Sequence, residues 1–455
     1  MATSLTSGVN YNLKPVSLKC TRKTVVVPSS NKTSFSPQDT IVLYLPSLKD
    51  HVMDGQSGYL RFQVTVTGDG FLDHSAHSFI DRITTYGAGG QVISDIQGYS
   101  ILACQWIDMA MSHSEKLGLS SMLGTEDQVY NITGAAAAFA TASKPTTAEL
   151  NAMFPPSNRM GKALVDGTTY SFGIPLLHSL FALSEKMWPS FAFSDDTRIE
   201  ITLSSNVQAL VTSTAFVLKN PELVVDYIHF DSSVFPLIQE TYKGRDLVIS
   251  SQDYKYYSSQ IASTTGNISQ IIPCKVLSAR AFFFAFRQAS TQAVGAYTVS
   301  SRVNPFFTAG DSFNLNIGGS RVPNKPITTV TTGNFAPWFA TTQSALHAMN
   351  STEMNGCLNT SYYQKWPAAS PGSLAGASSY QNAFALAINV DTLRGQSELS
   401  NSGLNLSAVT TYYEGNIGTA PLSSGGAATT ISVDCHVLHD VLYIVDGAGN
   451  VSVRA

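Results

Sequence analysis

Charge is what this 455-residue chain has least of: Asp, Glu, Lys and Arg together make up 13% of it, against about 25% in an average soluble domain. A surface so poor in ions must be covered by neutral polar groups or buried against partners. Cysteine is scarce as well. Cys20, Cys104, Cys274, Cys357 and Cys435 are widely spaced and include no C-x-x-C pair, which excludes a disulfide scaffold and, the number being odd, leaves at least one thiol free. Long apolar runs are missing. The longest, Ala135 to Ala140 and Ala281 to Phe286, fall far below the roughly 18 residues of a membrane span. Ser, Thr and Asn interrupt residues 2 to 11, so no secretory signal is expected.

The motifs of catalysis are absent too, and no enzyme is expected. Gly161-Lys162 runs into Ala163 without the upstream glycine of a phosphate-cradling loop, and no G-x-S-x-G elbow occurs. Gly87, Gly89 and Gly90 lie between two strand-like stretches and read as a hairpin turn. His74 and His77 beside Asp73 occupy a turn, and Asp434, Cys435, His436 and His439 lie on a strand, where Cys435 faces away from its neighbours. Neither group is expected to hold a metal, and no cofactor is implied. Asp195-Asp196 and Asp391 read as turn carboxylates accepting from nearby backbone N–H groups. The sequons at Asn131, Asn267, Asn350 and Asn405 are what a Ser/Thr-rich chain contains by chance.

What the chain does have is turn formers and period-two alternation. Glycine (33) and proline (19), with many Ser, Thr and Asn, exclude a helical bundle. Leu60, Phe62, Val64 and Val66 alternate with Arg61, Gln63, Thr65 and Thr67. The same rhythm runs through Arg198 to Leu203, Phe313 to Ile317, Phe384 to Val390 and Ile431 to Val437. Each predicts a strand with one buried and one wetter face. Ala281 to Phe286 and Val441 to Val445 predict strands covered on both faces. Helices are few: Tyr99 to Met111 sets Leu102, Trp106 and Met109 on one face, and Thr146 with Glu149 forms a capping-box spacing before Leu150 to Phe154, stopped by Pro155 and Pro156.

Net charge is −4, but it is unevenly spread. Residues 1 to 38 carry Lys14, Lys19, Arg22, Lys23 and Lys32 and no acid, leaving 22 basic against 31 acidic side chains beyond them. A basic arm on an acidic body is the expectation. Strands then fill 40–230 and 235–455, joined by the polar segment Val234 to Lys255. Residues 329–380 form a long loop excursion with Trp338, Tyr362, Tyr363 and Trp366 as ordered contact aromatics. No short-period repeat is visible, and two halves of about eight strands each fit paired sandwiches or jelly rolls.

Four stretches then carry a resemblance. Ser78 to Tyr86 (SFIDRITTY), Gly89 to Tyr99 (GGQVISDIQGY), Tyr170 to Leu176 (YSFGIPL) and Asp440 to Val453 (DVLYIVDGAGNVSV) follow in an order that resembles the double jelly-roll major capsid proteins of eukaryotic DNA viruses. The chain looks most like those of polinton-like viruses, virophages and adintoviruses. Ile174-Pro175-Leu176 runs into Leu177-His178 rather than the I-P-L-P and phenylalanines common in large nucleocytoplasmic viruses. The resemblance implies an all-β chain of two consecutive eight-stranded jelly rolls with long loop insertions and few short helices. It implies a structural protein of the virion, assembled in the host cell: a homotrimer with a pseudo-hexagonal footprint that tiles an icosahedral shell. Its partners would be itself, neighbouring capsomers, penton proteins and minor or cement proteins, with no small-molecule substrate. Residues 329–380, with 112–168, would build the outer tower, and the arm at 1–38 would lie inside, toward an inner membrane or the genome. The alternative expectation is a secreted or surface β-sandwich that binds carbohydrate or mediates adhesion, with Trp338 and Trp366 stacking on sugars.

Overall fold

Inward-facing Val, Ile, Leu and Phe assemble the chain into two successive antiparallel sandwiches. The computed structural model describes residues 20–125, 161–184, 187–211, 215–231, 246–261, 266–288, 309–330, 336–346, 384–392, 403–417 and 430–454, with Pro236, Glu240, Arg302, Pro305 and Phe306 between them. The first half holds β1 (Cys20–Pro28), β2 (Ser34–Phe35), β3 (Thr40–Leu45), β4 (His51–Thr67), β5 (Gly70–Leu72) and β6 (Ile80–Tyr86). It continues with β7 (Val92–Gln97), β8 (Ala163–Leu164), β9 (Thr169–Pro175), β10 (Thr197–Leu203), β11 (Leu210–Val211) and β12 (Ala215–Phe230). The second half holds β13 (Leu247–Ile261), β14 (Gly266–Ile272), β15 (Ala279–Gln288), β16 (Ser312–Ile317) and β17 (Ser320–Thr328). It ends with β18 (Leu386–Asn389), β19 (Thr411–Ile417), β20 (Ile431–Val445) and β21 (Val451–Arg454).

Each half closes as two four-stranded sheets. The first pairs β1-β12-β4-β9 in one and β3-β10-β6-β7 in the other; the second pairs β13-β20-β15-β18 and β14-β19-β16-β17. Strand for strand, the two orders are the same when β1 is matched with β13 and β12 with β20. The chain therefore carries a half-length repeat of topology that no repeated residue pattern announces. Helices recur at matching places: α1 (Tyr99–Ala110) follows β7, and the helix Ala336–Leu346 follows β17. The fold is the expected pair of eight-stranded jelly rolls, with β2, β5, β8, β11 and β21 as additions.

The alternating runs on β4 and β10 behave as anticipated, whereas Phe384 to Val390 and Ile431 to Val437 are largely buried on both faces. Ile199, Ile201 and Leu203 on β10 and Leu60, Phe62, Val64 and Val66 on β4 are all buried. β15 is buried on both faces from Ala281 to Phe286. Its phenylalanines feed an aromatic cluster in the second roll: Phe284 and Phe313 lie 5.0 Å apart, Phe286 and Phe306 5.1 Å, and Phe306 stacks on Trp338 at 4.5 Å. Burying each such ring contributes about 2–3 kcal/mol, and the edge-to-face pairs add to it.

Three expectations need correction. The first roll begins at Cys20, not near residue 40: β1 pairs with β12 through nine residues, from Cys20 opposite Phe230 to Pro28 opposite Glu222. Its basic side chains are accommodated because β12 supplies Asp226, which takes Arg22 Nε at 2.6 Å and the Thr24 hydroxyl at 2.6 Å. The stretch up to Lys255 is not all connection, since β13 starts at Leu247. Ser251, Gln252, Asp253 and Tyr254 are buried in succession, so this part of the strand is covered on both sides and shows no alternation to read. On β20 the doubly covered part is Val433 to Val441, whereas Leu442 and Ile444 are half-exposed.

Candidate functional site

The described residues converge on one place that neither roll makes alone: the seam between them. Here β7, the last strand of its sheet, runs against β13, the first strand of the other roll's sheet. The turn that enters α1 is pressed onto β13. Gly98 is left-handed (φ +59), and a Cβ there would stand 3.0 Å from the Tyr256 ring. Gly449 (φ +84), in the turn between β20 and β21, comes as near to the first roll: a Cβ would lie 2.6 Å from the Ser194 amide nitrogen. Both positions need glycine for clearance as well as conformation.

Buried polar groups cross the seam in pairs. The Tyr443 hydroxyl donates to Ser179 Oγ (2.6 Å) and Ser251 Oγ to the Ser179 carbonyl (2.6 Å). The Ser194 amide donates to the Gly449 carbonyl (3.1 Å) and His436 Nε2 to the Gln97 carbonyl (3.2 Å). On the second roll's side of the seam, Asp434 accepts from the Tyr256 hydroxyl (2.5 Å) and from Arg287, all three being residues of that roll. The most concentrated charge is at Asp108, fully buried on α1. It takes His74 Nε2 at 2.7 Å, Lys116 Nζ at 2.9 Å on α2 (His113–Gly118), and the guanidinium of Arg302 from the second half. Despite burial, His74, Lys116 and Arg302 hold the Asp108 carboxyl well below its ordinary range. Removing one member of such a set strands the others without water.

Burial governs the neighbouring titratable groups. It lowers His436 and His439 to about 4, and His178, bonded to Thr85 Oγ1 at 2.9 Å, to about 3. It raises Asp253 to about 7. These imidazoles are neutral around pH 7.

The histidines of the two groups weighed as metal ligands are engaged elsewhere. His74 is engaged by Asp108, and His77 Nε2 bonds the Pro175 carbonyl at 3.0 Å. Cys435 packs in the core of the second roll while Asp434 and His436 face the seam. Among the described residues no group of three or more His, Cys, Asp or Glu could hold a metal ion. Asp196 accepts from the Ser47 amide (2.7 Å) and Asp195 from the Asp196 amide (2.8 Å), as turn carboxylates should.

The proposed contact residues divide. Arg22 pairs with Asp226 in the sheet, Lys23 lies on β1 opposite Tyr227, and Lys32 reaches Asp39 at 3.3 Å. These three are parts of the folded edge rather than of a free arm. Lys14 and Lys19 lie outside the described residues, as do Tyr362, Tyr363 and Trp366 and the segment Leu150 to Phe154. Trp338 is not a tower contact. It is fully buried, its Nε1 donating to Thr329 Oγ1 at 3.0 Å, and its indole cannot stack on a sugar. The residues that sequence reasoning missed are Asp108, Lys116, Arg287 and Arg302. The available signal was a charge set in an apolar run, as Asp108 is between Ile107 and Met109, and Arg287 after Phe286.

Several charges of the described surface are paired locally. Arg82 grips Asp95 in a fork at 2.6 and 2.8 Å, Arg61 meets Glu222 across strands at 2.6 Å, and Arg321 lies 3.5 Å from Glu414. Apolar side chains stand out along the edges: Ile271 on β14 is 66% exposed, Val330 after β17 is 64% and Val248 on β13 is 50%. Among the described residues no helix is long and apolar enough to cross a membrane.

No protein-family model matches the sequence, and no curated protein matches it. Solved structures do. PBCV-1 VP54, as fitted into a cryo-EM reconstruction of the virophage Sputnik, is similar with a TM-score of 0.59 at 9% identity, covering 97% of this chain and 98% of that one. The Faustovirus major capsid protein gives 0.58 at 10% identity over 97% and 92% of the two chains. The mavirus major capsid protein gives 0.55 at 9% identity over 99% and 93%. At such identities the likeness is one of fold, and it spans both rolls: the chain has the double jelly-roll fold of these capsid proteins.

Proposed function

We propose that this chain is a major capsid protein, a structural component of an icosahedral virion that works by self-assembly and performs no reaction. The observation that carries the reading is that structural similarity extends over nearly the whole of this chain and of solved capsid proteins, both rolls included. Two equal sandwiches locked side by side give each copy two similar lobes, so three copies make six lobes and a nearly hexagonal footprint. The surface suits the task. Sparse charge, part of it paired locally, and apolar edge residues supply contact area with little cost of burying unpaired ions.

On this reading the homotrimer is the working unit, with neighbouring capsomers, penton proteins and minor or cement proteins as partners. The basic tail is shortened to residues 1–19, which retain Lys14 and Lys19 and would face an inner membrane or the genome. Residues 347–380 would contribute to the outer tower.

Size-exclusion chromatography with light scattering, followed by negative-stain imaging, tests the proposal. The expected result is a trimer that builds shells or flat hexagonal arrays as concentration rises. A species that remains monomeric at every concentration and forms no ordered particle overturns it.

A further inference from the structure

Where β7 crosses β13, the seam opens into a cleft of about 380 Å³ that the capsid reading does not use. Ser94 and Asp95 of β7 form one wall, and Asp253, Tyr256 and Tyr257 of β13 with His439 of β20 form the other. Asp253 and His439 are direct partners in the β13–β20 register, so their side chains share a face. Asp253, His439 and Ser94 are all nearly inaccessible. The His439 ring has a fixed polarity: Nδ1 lies 3.1 Å from the Asp440 carbonyl, which can only accept, so Nδ1 carries the proton and Nε2 offers a lone pair. That Nε2 is buried with no partner. The Ser94 hydroxyl stands beside the Asp253 carboxyl and helps to stabilise its charge, keeping its own lone pairs free to accept. The cleft thus presents acceptors in search of a donor, flanked by two tyrosine rings.

We propose that this cleft binds an alkylammonium group, whose three N–H donors match the Asp253 carboxylate, His439 Nε2 and Ser94 Oγ, and whose charge is favoured by the neighbouring aromatic rings. Two sources share this chemistry: a free diamine, or a lysine side chain of another protein. Proton linkage follows. Asp253 is raised to about 7 by burial and by the like charge of Asp95, against Ser94, the Tyr254 amide and Lys255, which lower it. His439 and Tyr443 on β20 are neutral, and Lys255 lines the cleft as a competing positive charge. A bound cation pulls the Asp253 carboxyl down, so binding tightens as pH rises from 6 to 8 and releases a proton near pH 6.5.

The test is titration calorimetry of the full chain with putrescine and, separately, with Nα-acetyl-lysine methylamide, in buffers of different ionisation enthalpy. The expected result is saturable binding of at least one probe, proton release at pH 6.5, and a loss of at least tenfold in affinity in Asp253→Asn. That variant replaces a carboxyl the fold already prefers neutral, so it should stay folded, which far-UV circular dichroism checks. Putrescine binding alone identifies a free diamine as the source, and binding of the lysine analogue alone identifies a side chain. Lys255→Met should bind more tightly. No saturable binding of either probe, binding unchanged in Asp253→Asn, or binding gained only in Lys255→Met, which would make the chain's own lysine the occupant, overturns the proposal.

Discussion

In the first roll the helix after β7 carries a buried carboxylate, Asp108, whereas the helix in the matching place of the second roll carries a buried indole, Trp338. Strand order is the same around them, so the difference isolates how each roll is closed. Trp338 lies among Phe306 and Phe384, residues of its own half. Asp108 is completed by Arg302, a residue of the other half. The second roll is sealed by its own apolar contacts, while the first takes part of its closure from its neighbour. Identical topology thus leaves open which contacts do the closing, and at Asp108 the seam completes a charge set that the first roll lacks by itself.

The comparison can be broken most severely at Trp338. Trp338→Ala empties the ring stack and leaves Thr329 Oγ1 without its donor, with an expected loss of about 4–5 kcal/mol, measured by urea denaturation. The loss should register in the second roll's aromatic near-ultraviolet dichroism. Asp108→Asn comes next: it strands the positive charges of Lys116 and Arg302, and should cost about 3 kcal/mol or more. Its signature should differ, with accelerated amide exchange along α1 and the seam before the second roll opens. If both variants melt the whole chain with the same exchange pattern, the asymmetry between the rolls is refuted.

Acid provides a graded version of the same test. Burial lowers His178 to about 3 and His436 and His439 to about 4, from 6.5. The stability that these neutral imidazoles represent is complete above about pH 6.5 and is lost as pH falls toward 4. Asp253, raised to about 7, runs the other way, its cost being full above pH 7 and relieved below. Denaturation midpoints should therefore fall from pH 6.5 to 4, and His178→Gln should flatten the slope. The smallest effect is expected at the margin: Arg22→Ala removes a surface pair in which the arginine is exposed and Asp226 half-buried and should change stability by no more than about 1 kcal/mol, leaving β1 in place. Release of β1 in that variant would restore the idea of an arm reaching beyond residue 20.

Much of the architecture was legible because the side-chain rhythm of a half-buried strand is written in the residues. β4, β10, β16 and β20 were readable from alternation, α1 from its apolar stripe, and the hairpin at Gly89 and Gly90 from its glycines. What was hidden shares one cause: burial on two sides erases alternation. Ser251 to Tyr254 on β13 meet solvent on neither face, so Asp253 gave no period to detect, and Asp434 and His436, read as the wetter face of β20, are buried as well. Trp338 misled for a related reason. A large aromatic in a Thr- and Ala-rich segment suits a contact loop as well as a short sealing helix, and the choice depends on Phe306 and Phe384, distant in sequence. Asp108 and Arg302 are 194 positions apart, a separation no local pattern bridges.

The fork between Arg82 and Asp95, with the other strand-crossing pairs, neutralises part of the described surface charge at short range. Little field then extends beyond about a Debye length, so one copy would feel another only near contact. On the capsid reading, encounter between copies is expected to proceed at the unsteered rates of ordinary protein association, and shell growth should respond to concentration far more than to ionic strength. An assembly governed in this way has a simple control: the amount of protein made.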